Sequence, residues 1–183
     1  MDNINLVFPE IFISISIMFL LILGVFKRNS ANIIYNLSLT TLFICIAIIL
    51  NENIDIEFSL FNESYKIDTL AFLMKIIILI SAFLVLLISH KYLKLLKILK
   101  IEYPILVLCS ILGMMVMISS NDLIVFYIGL ELQSLALYVL ASFDRDKIKS
   151  TEAGLKYFVL SALSSGLLLY GCSLIYGFSG STN

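Results

Sequence analysis

Long apolar runs separated by short polar segments divide this chain into six units. Each run is continuously apolar over roughly the 20 residues that a helix needs to cross ~30 Å of hydrocarbon. Polar residues do not alternate with apolar ones along the runs, so helices are favoured over the strands of a membrane barrel. The pattern therefore predicts an all-α fold, a polytopic membrane helix bundle of about six transmembrane helices. The predicted spans are 6–26, 33–50, 69–89, 104–120 (opening with Pro104 at the first helical position), 122–142 and 153–178.

The composition supports a membrane protein. Of the 183 residues, 61% are apolar and 14% are charged, with a mean hydropathy of +1.06. A soluble domain is closer to half apolar and a quarter charged, so the bilayer must solvate most of this surface. The net charge of −1 gives no reason to expect nucleic-acid binding. The three cysteines lie in apolar runs, where they are expected to be small buried hydrophobes.

The charges of the connecting segments predict an orientation. Segments 27–32, 90–103 and 143–152 together carry nine Lys and Arg residues, whereas 51–68 and 119–121 carry only one. Basic loops face the cytoplasm or matrix, and these two groups of loops alternate along the chain. Both termini are therefore expected on the opposite side, the intermembrane space or the periplasm.

Segment 90–103 is the most basic connection. Lys91, Lys94, Lys97 and Lys100 recur every three residues with leucine and isoleucine between them. This spacing is typical of a short amphipathic helix on the membrane surface, but a helical extension of the third span explains it equally well. His90, at the end of that span, is either a packing residue or a proton relay.

Glu131 is the foremost candidate for chemistry inside the membrane. It lies about nine residues, or ~14 Å, into the fifth span, too deep for its short side chain to reach water. Charges at that depth are costly and by default indicate function. Ser134 and Tyr138 follow on the same helical face. We expect a protonatable carboxylate in a hydrated path, the alternative being a carboxyl paired with a lysine for packing.

Three further charges lie in or near the spans. Lys156 either reaches the inner interface or faces a tightly packed interior. The second alternative is suggested by small residues at helix-packing spacing on the same run, namely Ser161, Ala162, Ser165 and Gly166. Lys75 is expected to reach the outer interface with its long stem, and a functional role is the alternative. Glu10, beside Pro9, is expected to be an interfacial or helix-start acid.

The last three spans resemble NADH dehydrogenase subunit 2, an antiporter-like membrane subunit of respiratory complex I. The segments ELQSL, STEAGLKYF and SSGLLLYGCSLIYGFSG carry the resemblance, and VFPEIF at 7–12 is similar to the start of that subunit. The resemblance implies a proton-translocating subunit of NADH:ubiquinone oxidoreductase, which couples quinone reduction to proton pumping. It matches Glu131 to the glutamate of the family's fifth span and Lys156 to the lysine of its sixth.

The same resemblance implies how the chain is organised. Family members have about fourteen spans, with two inverted repeats of five helices. Residues 1–103 would be three N-terminal transmembrane helices plus the basic interfacial segment, and 104–183 would be the first three helices of the first repeat. In the family the glutamate lies beside a lysine on a broken helix, and that helix is not in this sequence. A second chain carrying the remaining helices is therefore an expected partner, with other complex I membrane subunits and lipids.

Several expectations follow for cofactors, function and location. No nicotinamide, flavin, iron–sulfur or metal motif is present, so NADH, FMN, iron–sulfur clusters and ubiquinone would be bound by other subunits of the complex. Two alternatives to pumping stay open: a structural membrane scaffold, and a subunit of a multi-subunit sodium/proton antiporter. Isoleucine, phenylalanine, tyrosine, asparagine and lysine are common in the chain, a composition typical of proteins encoded by AT-rich genomes such as those of organelles. It favours the mitochondrial inner membrane, with the bacterial plasma membrane as the alternative.

Overall fold

A computed structural model describes residues 7–26, 31–51, 58–61, 63–96 and 98–182 of the chain. Lys27, Arg28 and Lys97 of the basic connecting segments lie outside these residues, as do the acidic Glu52, Asp55 and Glu57. The described elements are α1 (Phe8–Phe26), α2 (Ala31–Leu50), β1 (Phe58–Leu60), β2 (Tyr65–Ile67), α3 (Thr69–Leu95), α4 (Glu102–Ile118), α5 (Leu123–Ala141) and α6 (Ile148–Ser179).

The membrane helix bundle predicted from the sequence is confirmed. Each predicted span corresponds to one helix, and the ends differ by a few residues. Five of the six helices are long and apolar enough to cross a bilayer. The exception, α4, has 17 residues and is about 26 Å long. Pro104 is its third residue rather than its first, which the first turn still tolerates because the proline's missing N–H has no helical partner there.

The basic segment 90–103 does not form a separate surface helix in the part that the structure describes. Helix α3 instead continues through Lys91 and Lys94 to Leu95, so the alternative of a helical extension is the correct one. Leu96 closes the helix with its N–H bonded to the carbonyl of Tyr92, and residues 98–100 have no regular structure. Helix α3 therefore continues beyond its apolar part, and Lys91 and Lys94 lie on this extension.

A two-stranded hairpin was not expected in the acidic segment before α3. Strands β1 and β2 pair antiparallel, with Phe58 opposite Ile67 and Leu60 opposite Tyr65. Phe61 and Glu63 in the turn have positive φ angles of 54° and 69°. The hairpin is bound to the α4–α5 link, because Lys66 N donates to Ser119 O at 2.8 Å and Asn121 N donates to Ser64 O at 2.9 Å.

The core lies among α1, α2, α3 and α4. Its fully buried side chains come from all four helices and include Ile13, Leu42, Leu79, Leu108 and Met115. Helix α4 is central, since it packs against α1, α2, α3 and α5. Helix α6 packs on α5, and the one fully buried residue in its described length is Gly154. The side chains of α6 are therefore mostly open to the surroundings.

The connecting segments gather at two opposite ends of the bundle. At one end, the hairpin, the 119–121 link and Thr182 are joined by backbone hydrogen bonds. At the other end, the ring of Tyr103 stacks on Tyr35 at 6.4 Å and meets Phe143 edge-on at 5.5 Å. The described parts of the segments that the charge pattern assigned to one membrane side thus lie at one end of the bundle.

Candidate functional site

The carboxylate of Glu131 lies half-buried on α5, in the ninth position of the helix. Its Oε2 atom is fully buried and has no hydrogen-bond partner among the residues that the structure describes. Within those residues no ion pair reaches Glu131, so a lysine partner for packing is not seen in this part of the chain. A buried carboxylate oxygen with a free acceptor position is suited to receiving a proton or a water molecule.

A hydroxyl-lined cavity opens beside this stretch of α5. It has a volume of about 150 Å³, and its walls come from α5 and α6. The lining residues are Leu130, Ser134, Tyr138, Ser161, Ser164, Ser165 and Leu168. A water molecule occupies about 30 Å³ in the liquid and needs polar partners, both of which this cavity offers. Ser134 and Tyr138 share a helical face with Glu131, so the polar stripe expected from the sequence borders a cavity that can be hydrated.

Lys156 lies on the open face of α6. Its side chain is 67% exposed, and its Nζ pairs with Glu152 one turn earlier on the same helix. Gly166, one of the small residues on this helix, has no atom within 4 Å of the position that a β-carbon would occupy. The tight interior considered for Lys156 is therefore not formed by the described helices, and the role of Lys156 stays a prediction.

Lys75 and Glu10 form a buried ion pair, which corrects the expectation that Lys75 would reach the outer interface. Glu10 lies in the first turn of α1, as expected of a helix-start acid, but it is buried rather than interfacial. Lys75 Nζ lies 2.7 Å from Glu10 Oε1, and the two side chains are 4% and 5% exposed. The hydroxyl of Tyr65 donates to Glu10 Oε1 at 2.7 Å and accepts from Lys75 Nζ at 3.1 Å. Lysine does not extend to water here because a carboxylate from α1 and a phenol from β2 satisfy it inside the bundle.

His90 makes packing contacts at the end of the bundle opposite the hairpin. Its ring lies 4.6 Å from that of Tyr35, and its Nε2 is 3.4 Å from Asn32 Oδ1. Tyr35 is itself fixed, since its hydroxyl donates to Leu86 O at 2.6 Å and lies 2.7 Å from Ser89 Oγ. These contacts favour the packing interpretation of His90 over a proton relay.

Asp122 begins α5 and ties it to residue 182. Its Oδ1 accepts from the N–H groups of Ile124 and Val125, as an N-cap does. The Thr182 hydroxyl donates to Oδ2, and this bond holds the pKa of Asp122 below its usual range, helped by the two backbone N–H groups. Leu123 N also donates to Thr182 O at 2.9 Å. The start of the helix that carries Glu131 is thus fixed by a charged cap.

A second and larger cavity lies at the end of the bundle opposite the hairpin. It measures about 560 Å³ and is mostly apolar, with Lys100, Glu102 and Arg145 at its wall. The Lys100 ammonium lies 5.7 Å from the centre of the Phe143 ring. Across residues 7–26, 31–51, 58–61, 63–96 and 98–182, no cluster of three His, Cys, Asp or Glu side chains is placed to hold a metal ion.

Sequence reasoning identified Glu131 and its stripe but missed two features of the site region. Ser161 and Ser165 of α6 were singled out only for their small size, and Ser164 was not singled out at all, although all three residues line the cavity opposite Ser134. The ion pair of Glu10 with Lys75 was missed because its members lie 65 positions apart in the chain. The signal available for that pair was two opposite charges at similar depths in apolar runs.

Known proteins are similar to this chain over its full length. The family model described as "NADH:quinone oxidoreductase/Mrp antiporter, TM" matches residues 120–183. The NADH-quinone oxidoreductase subunit N of Pelagibacter ubique is 67% identical over 183 residues, which is 100% of this chain and 39% of that protein. The same subunit of Maricaulis maris is 48% identical over 181 residues, covering 98% and 38%. The chain thus spans about two fifths of these relatives.

Solved structures share the fold. A chain of respiratory complex I from Thermus thermophilus superimposes with a TM-score of 0.79 at 27% identity, covering 95% of this chain and 38% of that one. A chain of the membrane-bound sulfane sulfur reductase, an archaeal respiratory membrane complex, gives 0.80 at 20% identity, covering 100% and 39%. The second likeness concerns the fold alone.

Proposed function

We propose that this chain works in proton translocation, because it is similar over its whole length to NADH-quinone oxidoreductase subunit N, of which it spans about two fifths. In this proposal it is the first part of a membrane subunit of NADH:quinone oxidoreductase, and it helps to couple quinone reduction to proton pumping. The observation that carries the proposal is the buried, unpartnered Oε2 of Glu131 in the middle of a span.

Glu131 is the proton carrier in this mechanism. Its carboxylate takes up a proton at the free oxygen and later releases it. Water in the serine-lined cavity, hydrogen-bonded to Ser134, Tyr138 and the α6 hydroxyls, provides the connection. A carboxylate at this depth is costly while charged, so a nearby positive charge favours its ionised form and loss of that charge favours its protonation.

Two lysines are candidates for the amine that would exchange protons with Glu131 in this proposal. Lys156 lies five residues before Ser161, the first α6 serine that lines the cavity, and helices outside this chain that cover the open face would bury it. A second lysine would come from the remaining helices of the subunit, carried by a further chain. Other membrane subunits of the complex and membrane lipids are the remaining partners.

Electron transfer would take place elsewhere in the complex. NADH, FMN, iron–sulfur clusters and ubiquinone would be bound by other subunits. The relatives reported above are bacterial, and they support the bacterial plasma membrane rather than the mitochondrial inner membrane. We propose that both termini and the hairpin face the periplasm, since the basic loops lie at the other end of the bundle.

The two alternatives are less well supported. A sodium/proton antiporter subunit would match the same family model, but the 67% identity to subunit N extends over the whole chain, including helices α1 to α4, which precede that match. A scaffold without pumping would not require a mid-span carboxylate with a free buried oxygen.

The test is Glu131→Gln in the complete subunit, assembled in its complex in membrane vesicles. Gln keeps the size of the side chain but carries no proton, so we expect assembly to be normal and proton pumping per NADH oxidised to fall. Glu63→Gln, an exposed residue of the hairpin turn, is the matched control and should pump normally. Normal pumping by Glu131→Gln would leave the scaffold as the better function.

Lys156→Met is measured in the same vesicles. A fall in pumping would place its amine in the proton path, covered by helices outside this chain. An unchanged ratio of protons to electrons would mean that Lys156 serves only to anchor α6 near the membrane surface.

A further inference from the structure

Three ionisable side chains meet at the hairpin end of the bundle, away from Glu131. Glu10 is in the first turn of α1, Tyr65 opens β2, and Lys75 lies six residues after the first residue of α3. The Glu10–Lys75 contact is 2.7 Å long, and both side chains are at least 95% buried. All three residues lie outside the 120–183 segment that the antiporter family model matches.

This cluster is not explained by stability alone. Burying two charges costs several kcal/mol each, and an apolar pair of the same size is often as stable or more so. Moreover, Glu10 Oε2 is buried and has no hydrogen-bond partner in the described ranges, so one acceptor of the carboxylate stays open. A pair built only for cohesion would be expected to satisfy both oxygens.

The hydrogen bonds run in one direction through the cluster. Lys75 Nζ donates to the Tyr65 hydroxyl, and that hydroxyl donates to Glu10 Oε1. A proton can therefore pass from the ammonium to the phenol oxygen while the phenol proton moves to the carboxylate. The products are a neutral amine, an intact phenol and a carboxylic acid, so the net charge is unchanged by the transfer.

We propose that Glu10, Tyr65 and Lys75 form a second proton-exchange site at the hairpin end of the bundle. After the internal transfer the proton is on Oε1, and rotation of the protonated carboxyl group carries it to the side where Oε2 has no partner among the described residues. There Glu10 releases it to an entering water molecule, which leaves a neutral amine beside a carboxylate. The amine then takes up the next proton and restores the starting pair. This inference rests on the proposed function, because a proton-translocating subunit gives such a site protons to exchange.

Charged and polar groups from four neighbouring elements surround this site. The charged groups closest in the chain are Lys66, next to Tyr65 on β2, and Asp68, which caps α3 through the N–H of Ala71. From α2, Cys45 contributes its Sγ, 3.9 Å from the carbonyl of Pro9 beside Glu10. From the α4–α5 link, the buried Ser119 accepts the N–H of Lys66 at its carbonyl. Strand β2 thus connects the site to the start of α5.

The test replaces the ion pair by a neutral pair. In Glu10→Gln/Lys75→Gln, both positions keep hydrogen-bonding groups of similar size and neither carries a charge, so the bundle is expected to assemble. The whole subunit is studied in its complex in vesicles, with complex content, NADH:quinone turnover and protons moved per NADH as readouts. We expect normal assembly and a lower ratio of protons to electrons; a normal ratio would overturn the proposal.

Two further variants separate proton exchange from simple charge pairing. Lys75→Arg keeps the positive charge but cannot lose its proton, whereas Glu10→Asp keeps an acid at the site. An exchange site predicts that Lys75→Arg lowers the ratio and Glu10→Asp retains more of it. If Lys75→Arg assembles and pumps normally, the pair is structural and the proposal is wrong.

Glu131→Gln measured alongside distinguishes this inference from the proposed function. A low ratio in Glu131→Gln with a normal ratio in the double variant would remove the second site and leave the proposed function. A normal ratio in Glu131→Gln with a low ratio in the double variant would do the reverse, since Glu10, Tyr65 and Lys75 would then be the protonatable site that pumping requires.

Discussion

Gly113 of α4 and Gly129 of α5 face each other at a crossing that has no room for a side chain on either. A β-carbon on Gly113 would lie 2.7 Å from the carbonyl oxygen of Gly129 and 2.6 Å from the backbone nitrogen of Gln133. A β-carbon on Gly129 would lie 2.9 Å from the carbonyl oxygen of Gly113. These obstacles are backbone atoms, which cannot move aside without shifting a helix. The crossing therefore fixes α5, and Glu131 two residues on, against the core.

Gly129→Ala is expected to destabilise the bundle. Overpacking of this kind costs about 1–3 kcal/mol, and here a helix must shift to relieve it. Thermal unfolding of the 183-residue chain in a mild detergent measures the effect. Gly166→Ala is the matched control, because nothing lies within 4 Å of its β-carbon position, and its unfolding temperature should not fall. Equal behaviour of the two variants would contradict the close crossing.

The Asp122 cap predicts a pH dependence. The pKa of Asp122 is lowered in the folded chain, chiefly by the hydrogen bond from Thr182. A lowered carboxyl pKa contributes stability that is present above the pKa of the unfolded chain and is lost as the pH falls through the folded value. Stability should therefore decline in acid more steeply in the parent chain than in Asp122→Asn. Unfolding temperatures measured across acidic pH would show parallel curves if the cap carried no such linkage.

The serine-lined cavity predicts the effect of filling it. Ser161→Leu adds apolar volume to a space of about 150 Å³ and removes one hydroxyl from its wall, so water should be excluded and pumping through Glu131 should slow. Ser173→Leu makes the same change on the exposed face of α6, where the hydroxyl bonds only to the carbonyl of Tyr170 among the described residues. Pumping per NADH in assembled complexes is the measurement. Equal ratios in the two variants would mean that the cavity carries no protons.

The two ends of the bundle predict opposite reactivity toward a label that cannot cross membranes. Ser59 of the hairpin and Lys149 near the start of α6 are both exposed, and they belong to opposite ends. In whole cells, Ser59→Cys should react with a charged maleimide and Lys149→Cys should react only after the membrane is opened. The native cysteines lie in the helices, and the parent chain serves as the control for them. The reverse pattern would invert the proposed orientation.

The helices could be predicted from the sequence because the bilayer imposes a length and a polarity on each span. The hairpin could not, since strands of three residues are too short to show a period in an acidic segment. Lys75 was misplaced because its depth, ~9 Å from the start of α3, allows either snorkelling or pairing, and only the position of Glu10 decides between them. Glu131 was identified correctly as a mid-span acid because no snorkelling is possible at its depth.

The difference in length between α4 and α6 has a consequence for the lipid around them. With 32 residues, α6 is about 48 Å long, well beyond a hydrocarbon layer of ~30 Å, whereas α4 is shorter than that layer. One bilayer cannot match both, so α6 must tilt or raise its first turns into the headgroups. Lys156 lies about 12 Å from the start of α6, and bilayer thickness thus decides whether its ammonium sits among phosphates or acyl chains.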